Sequence, residues 1–360
     1  MKEAFSYHMP TKVIYAHDGL KDLDRYINGR KALLVTSEGF AKRGGVERLQ
    51  GLTDHIIHVV TKIKSHPEFK DLKEIYEKVH CLDFDVIVAV GGGSVLDAAK
   101  FLSVYDDTKE ATFVEALIRG RGDKRGYRLI PVIAIPTTAG TGSEITPWAT
   151  IWDMEEKKKY SLHLPDLFSE VALYDPLLTL TVPKEITIQT ALDTLSHALE
   201  SIWNKNANPI TIMFAVKSAK LIVDNIVELA NALDNITYRE RIMKACMYAG
   251  LAFSNTQTAI AHGMSYYVTA HKGVPHGIAC SFTLPMLIDN VIGKYDFVDQ
   301  ALLEIFGELS SRRLREILRA LQISTAFEDY GIGEEELKGL VASLQNNQRA
   351  GNSLVTMGEA

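Results

Sequence analysis

Two residue pairs carry the chemistry this sequence offers: Asp193 and His197, four apart, and His262 and His276, fourteen apart. The first pair sits in TALDTLSHALESIW, where Leu192, Leu195, Leu199 and Ile202 recur at helical spacing. Positions i and i+4 of a helix project from one face, so this carboxylate and imidazole can grip a common point. The second pair lies in AHGMSYYVTAHKGVPHGIACSF, and each histidine is followed by glycine. One carboxylate oxygen and three imidazole nitrogens make a divalent-metal shell with a position left open for substrate. An open position implies chemistry rather than scaffolding. Asp-x-x-x-His is also an ordinary surface or core pair on helices, so the weight rests on what else the chain supplies.

It supplies two candidate phosphate seats. In DVIVAVGGGSVLDAAK, Gly91, Gly92, Gly93 and Ser94 stand between a buried-type strand and a helix start. Glycines let the backbone turn sharply and approach a ligand, while the new helix directs free N–H groups and its positive dipole end outward. A structural strand-to-helix turn uses the same glycines. Asp97, in the first turn, is open to two roles, dipole compensation or a cofactor contact. In LIPVIAIPTTAGTGSEITPW, Thr137, Thr138, Thr141 and Ser143 are spaced by Gly140 and Gly142 after another strand. Small hydroxyl residues there offer donors without bulk, as a diphosphate or ribose requires.

The elements that must position these residues divide the chain. Strand patterns at 31–36, 56–60, 85–90, 129–136 and 171–175 alternate with helical stretches, which predicts a parallel sheet covered on both faces. ATIWDMEEKKKYSLH reads as a hairpin. After Pro183 the segments become long and amphipathic, so a helical half follows, with the boundary near 176–186. The last stretch, NNQRAGNSLVTMGEA, is weakly patterned and is expected to be loosely held. At 360 residues the chain suits two domains. Its 46% hydrophobic and 23% charged residues are those of an ordinary globular protein, and a net charge of −6 argues against nucleic acid as an obligate partner. Cys81, Cys246 and Cys280 form no CxxC, the start lacks a signal-peptide core, and no apolar run reaches roughly 18 residues. A cytoplasmic protein with no membrane partner is expected.

GGGS with Asp97, PTTAGTGSE (136–144), Asp193-x-x-x-His197, KNANP (205–209), and His262 with Pro275-His276-Gly277 together resemble the iron-containing (group III) alcohol dehydrogenases. The matches run in order from about residue 10 to 290. The resemblance implies a dehydroquinate synthase-like architecture: a Rossmann-like α/β domain over 1–180 and an all-α metal-binding domain over 181–360, with NAD(P)H and metal in the cleft between. It implies that Asp193, His197, His262 and His276 hold Fe2+, or Zn2+ in some members. Gly91, Gly92, Gly93, Ser94, Thr137, Thr138, Thr141 and Ser143 would bind the cofactor, with Lys159 near its ribose. It implies reversible hydride transfer between NAD(P)H and a small aldehyde or alcohol, with the metal as Lewis acid, and a homodimer or higher homo-oligomer.

Two positions depart from the family pattern. Ser37 stands where NAD-preferring members often carry Asp, with Glu38 next, so both NADH and NADPH stay open. Tyr266 stands where many members carry a second histidine, and either relays a proton, hydrogen-bonds a substrate oxyanion, or packs against the cofactor ring. His271 and Lys272 read as surface groups. HALESIWNKNANP, TPWATIWD, KYSL and the Ser265-Tyr266 pair resemble the phosphonoacetaldehyde reductase branch, which implies reduction of phosphonoacetaldehyde to 2-hydroxyethylphosphonate. Such a substrate needs a cationic pocket, for which Lys157, Lys158, Lys159, Arg119, Arg121, Lys124 and Arg125 are candidates; a solvated loop is the other reading of the last four. Trp148 and Trp152 could narrow such a pocket. The alternatives are a general short-chain alcohol dehydrogenase of butanol, propanediol or lactaldehyde type, a dehydroquinate synthase-like lyase, and a non-catalytic metal or nucleotide sensor.

Overall fold

A computed structural model describes residues 4–122, 126–155, 158–345 and 347–355. Its described residues group into two compact units, one from 10–138 and 143–179, the other from 1–9, 139–142 and 180–360. Lys124, Arg125 and Lys157, three of the expected cationic candidates, lie outside the described residues.

The α/β unit contains strands β1 (Lys12–Tyr15), β2 (Ala32–Thr36), β3 (Ile56–Val60), β4 (Val86–Gly91), β5 (Val104–Tyr105), β6 (Arg128–Leu129), β7 (Val132–Pro136), β8 (Trp148–Asp153), β9 (Lys158–His163) and β10 (Val171–Tyr174). Six of them form one sheet in the order β1-β10-β7-β4-β2-β3, and every pairing is parallel. Both faces are buried, as parallel sheets require. Leu33 and Val35 of β2 point into one core with Tyr76 and Phe101, while Ala32 and Leu34 point into the other with Leu20 and Leu23. β1 was not expected; its four residues KVIY include an exposed lysine, too short a pattern to stand out.

In register, Thr36 lies beside Val90 and Gly91 beside Pro136. Ser37, the glycine turn and Thr137 therefore leave the same C-terminal edge of the sheet, from three adjacent strands. The hairpin is antiparallel, from Trp148 opposite His163 to Asp153 opposite Lys158. Its Ala149, Ile151 and Leu162 are buried in the core.

The second unit is helical. Its longest members are Lys184–Ile202, Pro209–Asn231 and Ile236–Thr256, followed by Ile260–Lys272, His276–Ser281 and further short helices. KNANP is a helix start: Asn208 Oδ1 accepts the N–H groups of Ile210 and Thr211, and Thr211 Oγ1 accepts that of Asn208. In Lys184–Ile202 every residue from Ala191 to Ile202 is buried, polar ones included. Buried polar groups must find partners. Ser196 and Ser201 donate to Leu192 O and His197 O one turn back, at 2.9 and 2.8 Å, and Thr194 reaches Gly140 O at 3.3 Å. Asp193 and Glu200 are left as the charged members of this buried run. Among the described residues no helix is long and apolar enough to cross a membrane.

The stretch from 347 is not loose. Lys205 N donates to Asn352 O at 2.7 Å, Leu354 N to Trp203 O at 3.0 Å, and Asn352 Nδ2 to Thr258 O at 2.9 Å. Its polar residues serve tertiary hydrogen bonds, which leave no periodic trace in sequence.

Candidate metal centre and nucleotide-binding edge

Three helices of the second unit bring Asp193, His262 and His276 together with Cys280, while His197, the fourth expected ligand, stands beside Asp193 but outside that group of mutually close donor atoms. Asp193 Oδ1 lies 3.4 Å from His262 Nε2 and 3.9 Å from both His197 Nε2 and His276 Nε2. The i, i+4 spacing sets the Asp193–His197 pair. Gly277 lets the short helix carrying His276 approach Lys184–Ile202: a Cβ there would lie 1.8 Å from Gln189 O. Asp193, His197 and His262 are buried, and His276 is about one-third exposed at 32%. His197 stacks between Phe253 and His262, with centroids 4.0 and 4.4 Å away.

The protonation pattern is set by a residue that the sequence reading missed. Glu200 is fully buried and accepts from Ala259 N, Ala261 N and His262 N, and from His262 Nδ1 at 2.6 Å. With Nδ1 donating to a carboxylate, His262 directs Nε2 toward Asp193, where it offers a lone pair once its proton is displaced. Yet Asp193 Oδ1 and His262 Nε2, both buried, have no hydrogen-bond partner among the described residues. Burial pushes the Asp193 carboxyl up, but His197, His262 and His276 hold it well below the usual carboxylate range. Burial likewise opposes a charge on His262, and Cys280, Glu200 and Asp193 outweigh it, so its pKa lies well above the ordinary histidine value. The cluster favours positive charge at the point where the unpartnered atoms converge. That is the signature of a cation site.

Cys280, one turn beyond His276, was also missed as a neighbour. Donor atoms of Asp193, His262, His276 and Cys280 all lie within 4.8 Å of one another. Burial pushes the Cys280 thiol up, with His262 opposing. In sequence, Glu200 stood out only as a carboxylate in an apolar stretch, and Cys280 only as His276 plus four. Tyr266 is half-buried and its ring lies parallel to that of His276, 5.9 Å between centroids. His271 is exposed and stacks on Tyr267, and Lys272 pairs with Glu336, so neither joins the cluster.

In the α/β unit, the helix Gly93–Ser103 starts directly behind β4. A Cβ on Gly91 would meet Val95 at 2.6 Å, and one on Gly92 would meet Thr138 Oγ1 at 3.3 Å, so bulk is excluded here. Ser94 Oγ donates to Ser65 O, and Ser37 caps the next helix by accepting from Phe40 N at 3.2 Å. Asp97 is buried; one oxygen accepts from Thr150 N at 3.0 Å and braces the hairpin, and the other has no hydrogen-bond partner among the described residues. Below it, the buried Lys100 Nζ donates to Trp148 O at 3.0 Å. Ser143 is buried, and Thr137 is half-buried at the strand end. Lys159 Nζ lies 5.6 Å over the Trp152 ring and close enough to Asp97 to stabilise its charge. Trp148 and Trp152 make edge contacts with His163 and His66. Thr141 falls with the helical unit, in the 139–142 segment where Gly142 has φ +61°. Arg119 is committed within this unit, to Glu115 at 2.9 Å, Asp153 at 3.1 Å and Tyr160 OH at 3.2 Å. Arg121 is exposed.

A nucleotide-type sheet edge in one unit and a His/Asp cation site in the other describe a metal- and dinucleotide-dependent class of protein. The sequence profile described as iron-containing alcohol dehydrogenase matches residues 10–176, and that of the C-terminal part of the Fe-containing alcohol dehydrogenase family matches 187–356. The chain belongs to the iron-containing alcohol dehydrogenase family. It is 33% identical over 269 residues to a 1,3-propanediol dehydrogenase of Citrobacter freundii (72% of this chain, 68% of the relative), and 28% identical over 380 residues to a sulfoacetaldehyde reductase of Bilophila wadsworthia (96% of each). It spans about a third (33%) of the aldehyde-alcohol dehydrogenase of Streptococcus pneumoniae, at 29% identity over 294 residues. A solved sulfoacetaldehyde reductase from Bifidobacterium kashiwanohense, in complex with NAD+, superposes with TM-score 0.89 at 26% identity, covering 99% of this chain and 96% of that one.

Proposed function

We propose that the chain is a metal-dependent, NAD(P)H-linked alcohol dehydrogenase or aldehyde reductase, and that its substrate is phosphonoacetaldehyde, reduced to 2-hydroxyethylphosphonate. The observation that carries the first part is the pair of buried, unpartnered atoms, Asp193 Oδ1 and His262 Nε2, facing each other at 3.4 Å. Asp193, His197, His262 and His276 are the ligands of Fe2+ or Zn2+ in this reading. Ser37, Gly91, Gly92, Gly93, Ser94, Asp97, Thr137, Thr138, Thr141, Ser143 and Lys159 form the cofactor set. When bound, the metal supplies Lewis acidity toward a carbonyl oxygen and the nicotinamide supplies a hydride.

The residues themselves orient and protonate. Glu200 holds the His262 ring with Nε2 forward. In this reading Tyr266, whose ring is parallel to that of His276, hands a proton to the product oxygen or hydrogen-bonds it. The narrower substrate is supported by relatives named for sulfoacetaldehyde, an aldehyde whose tetrahedral oxyanion resembles a phosphonate in shape. Relatives named for 1,3-propanediol and for butanol favour the second reading, a general short-chain alcohol dehydrogenase. A cytoplasmic location remains part of the proposal.

One assay separates these. The metal is removed, Fe2+ or Zn2+ is restored, and NADH and NADPH oxidation is followed with phosphonoacetaldehyde, sulfoacetaldehyde, lactaldehyde, glycolaldehyde and butanal. Stoichiometric cofactor oxidation that requires metal is expected, which a lyase would not show. Equal kcat/KM for phosphonoacetaldehyde and butanal would leave only the general dehydrogenase.

A further inference from the structure

Arg349 occupies an unusual position in the helical unit. Its guanidinium carbon lies 4.6 Å above the Tyr266 ring centroid, and the Tyr266 ring is parallel to that of His276 at 5.9 Å. The cation therefore stands no further from His276 than those two spacings laid end to end. Its backbone is held from several sides. Asn347 Oδ1 accepts Arg349 N at 2.9 Å and Ala350 N at 3.2 Å, and Lys205 Nζ donates to Gly351 O at 2.6 Å. A residue on such a turn presents its side chain in a defined place.

The guanidinium is half-buried, yet no carboxylate, carbonyl or hydroxyl among the described residues accepts a hydrogen bond from it. Burial pulls its pKa down to about 10, with Glu200 opposing, so it remains a cation near neutral pH. Its planar fork of five N–H donors, with no acceptor among the described residues, is left for solvent or a ligand to complete. The ligand that matches a fork is a planar or tetrahedral oxyanion taken in bidentate fashion. Arg119, another half-buried candidate cation, is already paired with Glu115, Asp153 and Tyr160.

We infer that Arg349 binds the terminal oxyanion of the substrate, so that the site selects short aldehydes bearing a phosphonate or sulfonate. Tyr266 then carries the guanidinium over its ring and stands parallel to His276. This deepens the aldehyde reductase proposal and rests on it for the aldehyde end alone. The anion end rests on Arg349.

The test uses the full-length, metal-loaded protein and its Arg349→Met and Arg349→Lys variants, with metal content and circular dichroism as controls of folding. Calorimetric titration with ethylphosphonate and with ethanesulfonate reads binding without turnover, and the stronger of the two identifies the anion. Arg349→Met is expected to weaken the preferred anion about 10- to 100-fold, the size of hydrogen bonds between charged groups, and Arg349→Lys is expected to lose less. In turnover, the ratio of kcat/KM for the anionic aldehyde over butanal should fall by the same factor, chiefly through KM. Unchanged binding of both anions in a folded Arg349→Met protein overturns the inference, as does an equal loss on butanal. Arg349-dependent anion binding with no NAD(P)H oxidation by any aldehyde would remove the reductase reading and leave the anion site standing.

Discussion

Glu200 and His262 share a 2.6 Å hydrogen bond inside a fully buried pocket, and the same carboxylate accepts three backbone N–H groups from residues 259–262. One side chain thus fixes both the start of the Ile260–Lys272 helix and the tautomer of the histidine it carries. Such outer carboxylates raise the basicity of a ligating imidazole and lock its orientation. Glu200→Gln keeps the volume and an acceptor oxygen but removes the charge. The expected result is a folded protein whose Zn2+ affinity, read by chelator competition, is about 10- to 100-fold weaker. His262→Ala should lower metal content further and abolish turnover. Full activity from a metal-free His262→Ala protein would end the metal assignment.

Gly277 is a second point of control, through packing alone. Alanine there would set its Cβ 1.8 Å from Gln189 O, a backbone atom that cannot rotate away. The short helix His276–Ser281 must then move off Lys184–Ile202, taking His276 away from Asp193. Gly277→Ala is expected to cost about 1–3 kcal/mol of stability and to lower metal content in parallel. A variant with unaltered melting temperature and metal content would show that the helices yield without disturbing the cluster.

In the α/β unit the critical buried charge is Lys100, whose Nζ lies among Thr146 O, Thr146 Oγ1 and Trp148 O. Burial lowers its pKa to about 8, with Asp97 and Glu144 opposing. Lys100→Met removes a donor and leaves the carbonyls of Thr146 and Trp148 without it, a loss of about 1–3 kcal/mol for each group left unsatisfied. The pH dependence has a definite sign. Between about 8 and the ordinary 10.5 the unfolded chain binds more protons at this lysine than the folded protein does. Its contribution to stability is therefore complete above 10.5 and is lost as pH falls toward 8. The melting-temperature gap between wild type and Lys100→Met should widen as pH rises through that window. A gap that narrows would contradict the lowered pKa.

Tyr266 separates proton transfer from packing. Tyr266→Phe keeps the ring parallel to that of His276 and under Arg349 but removes the hydroxyl. If the phenol passes a proton, kcat should fall about 10²-fold or more, with a changed pH profile. A rate that matches wild type at every pH would reduce Tyr266 to a support for its neighbours.

Much of this architecture is legible in the sequence. Strand periodicity located five of the six sheet strands: β2, β4, β7 and β10, buried on both faces and so nearly all apolar, and the half-exposed edge strand β3. GGGS and PTTAGTGSE marked the sheet edge, because glycine turns and small hydroxyls have few other uses behind a core strand. The Asp193–His197 pair followed from the helix repeat. Asp97 was legible as a residue yet not as a contact: only the structure shows one of its oxygens taken by Thr150 N, 53 positions away.

The amino-acid sequence by itself determined the parallel α/β unit, the helical unit and the family, since each rests on local periodicity or contiguous motifs. Only the tertiary structure decided what surrounds the site. Glu200 reaches His262, and Cys280 reaches Asp193 and His262, through the packing of separate helices, and Arg349 reaches Tyr266 from a pinned turn. Those contacts depend on helix approach distances, such as the one Gly277 permits, and on hydrogen bonds between residues far apart in the chain. Neither leaves a repeat for a sequence to display.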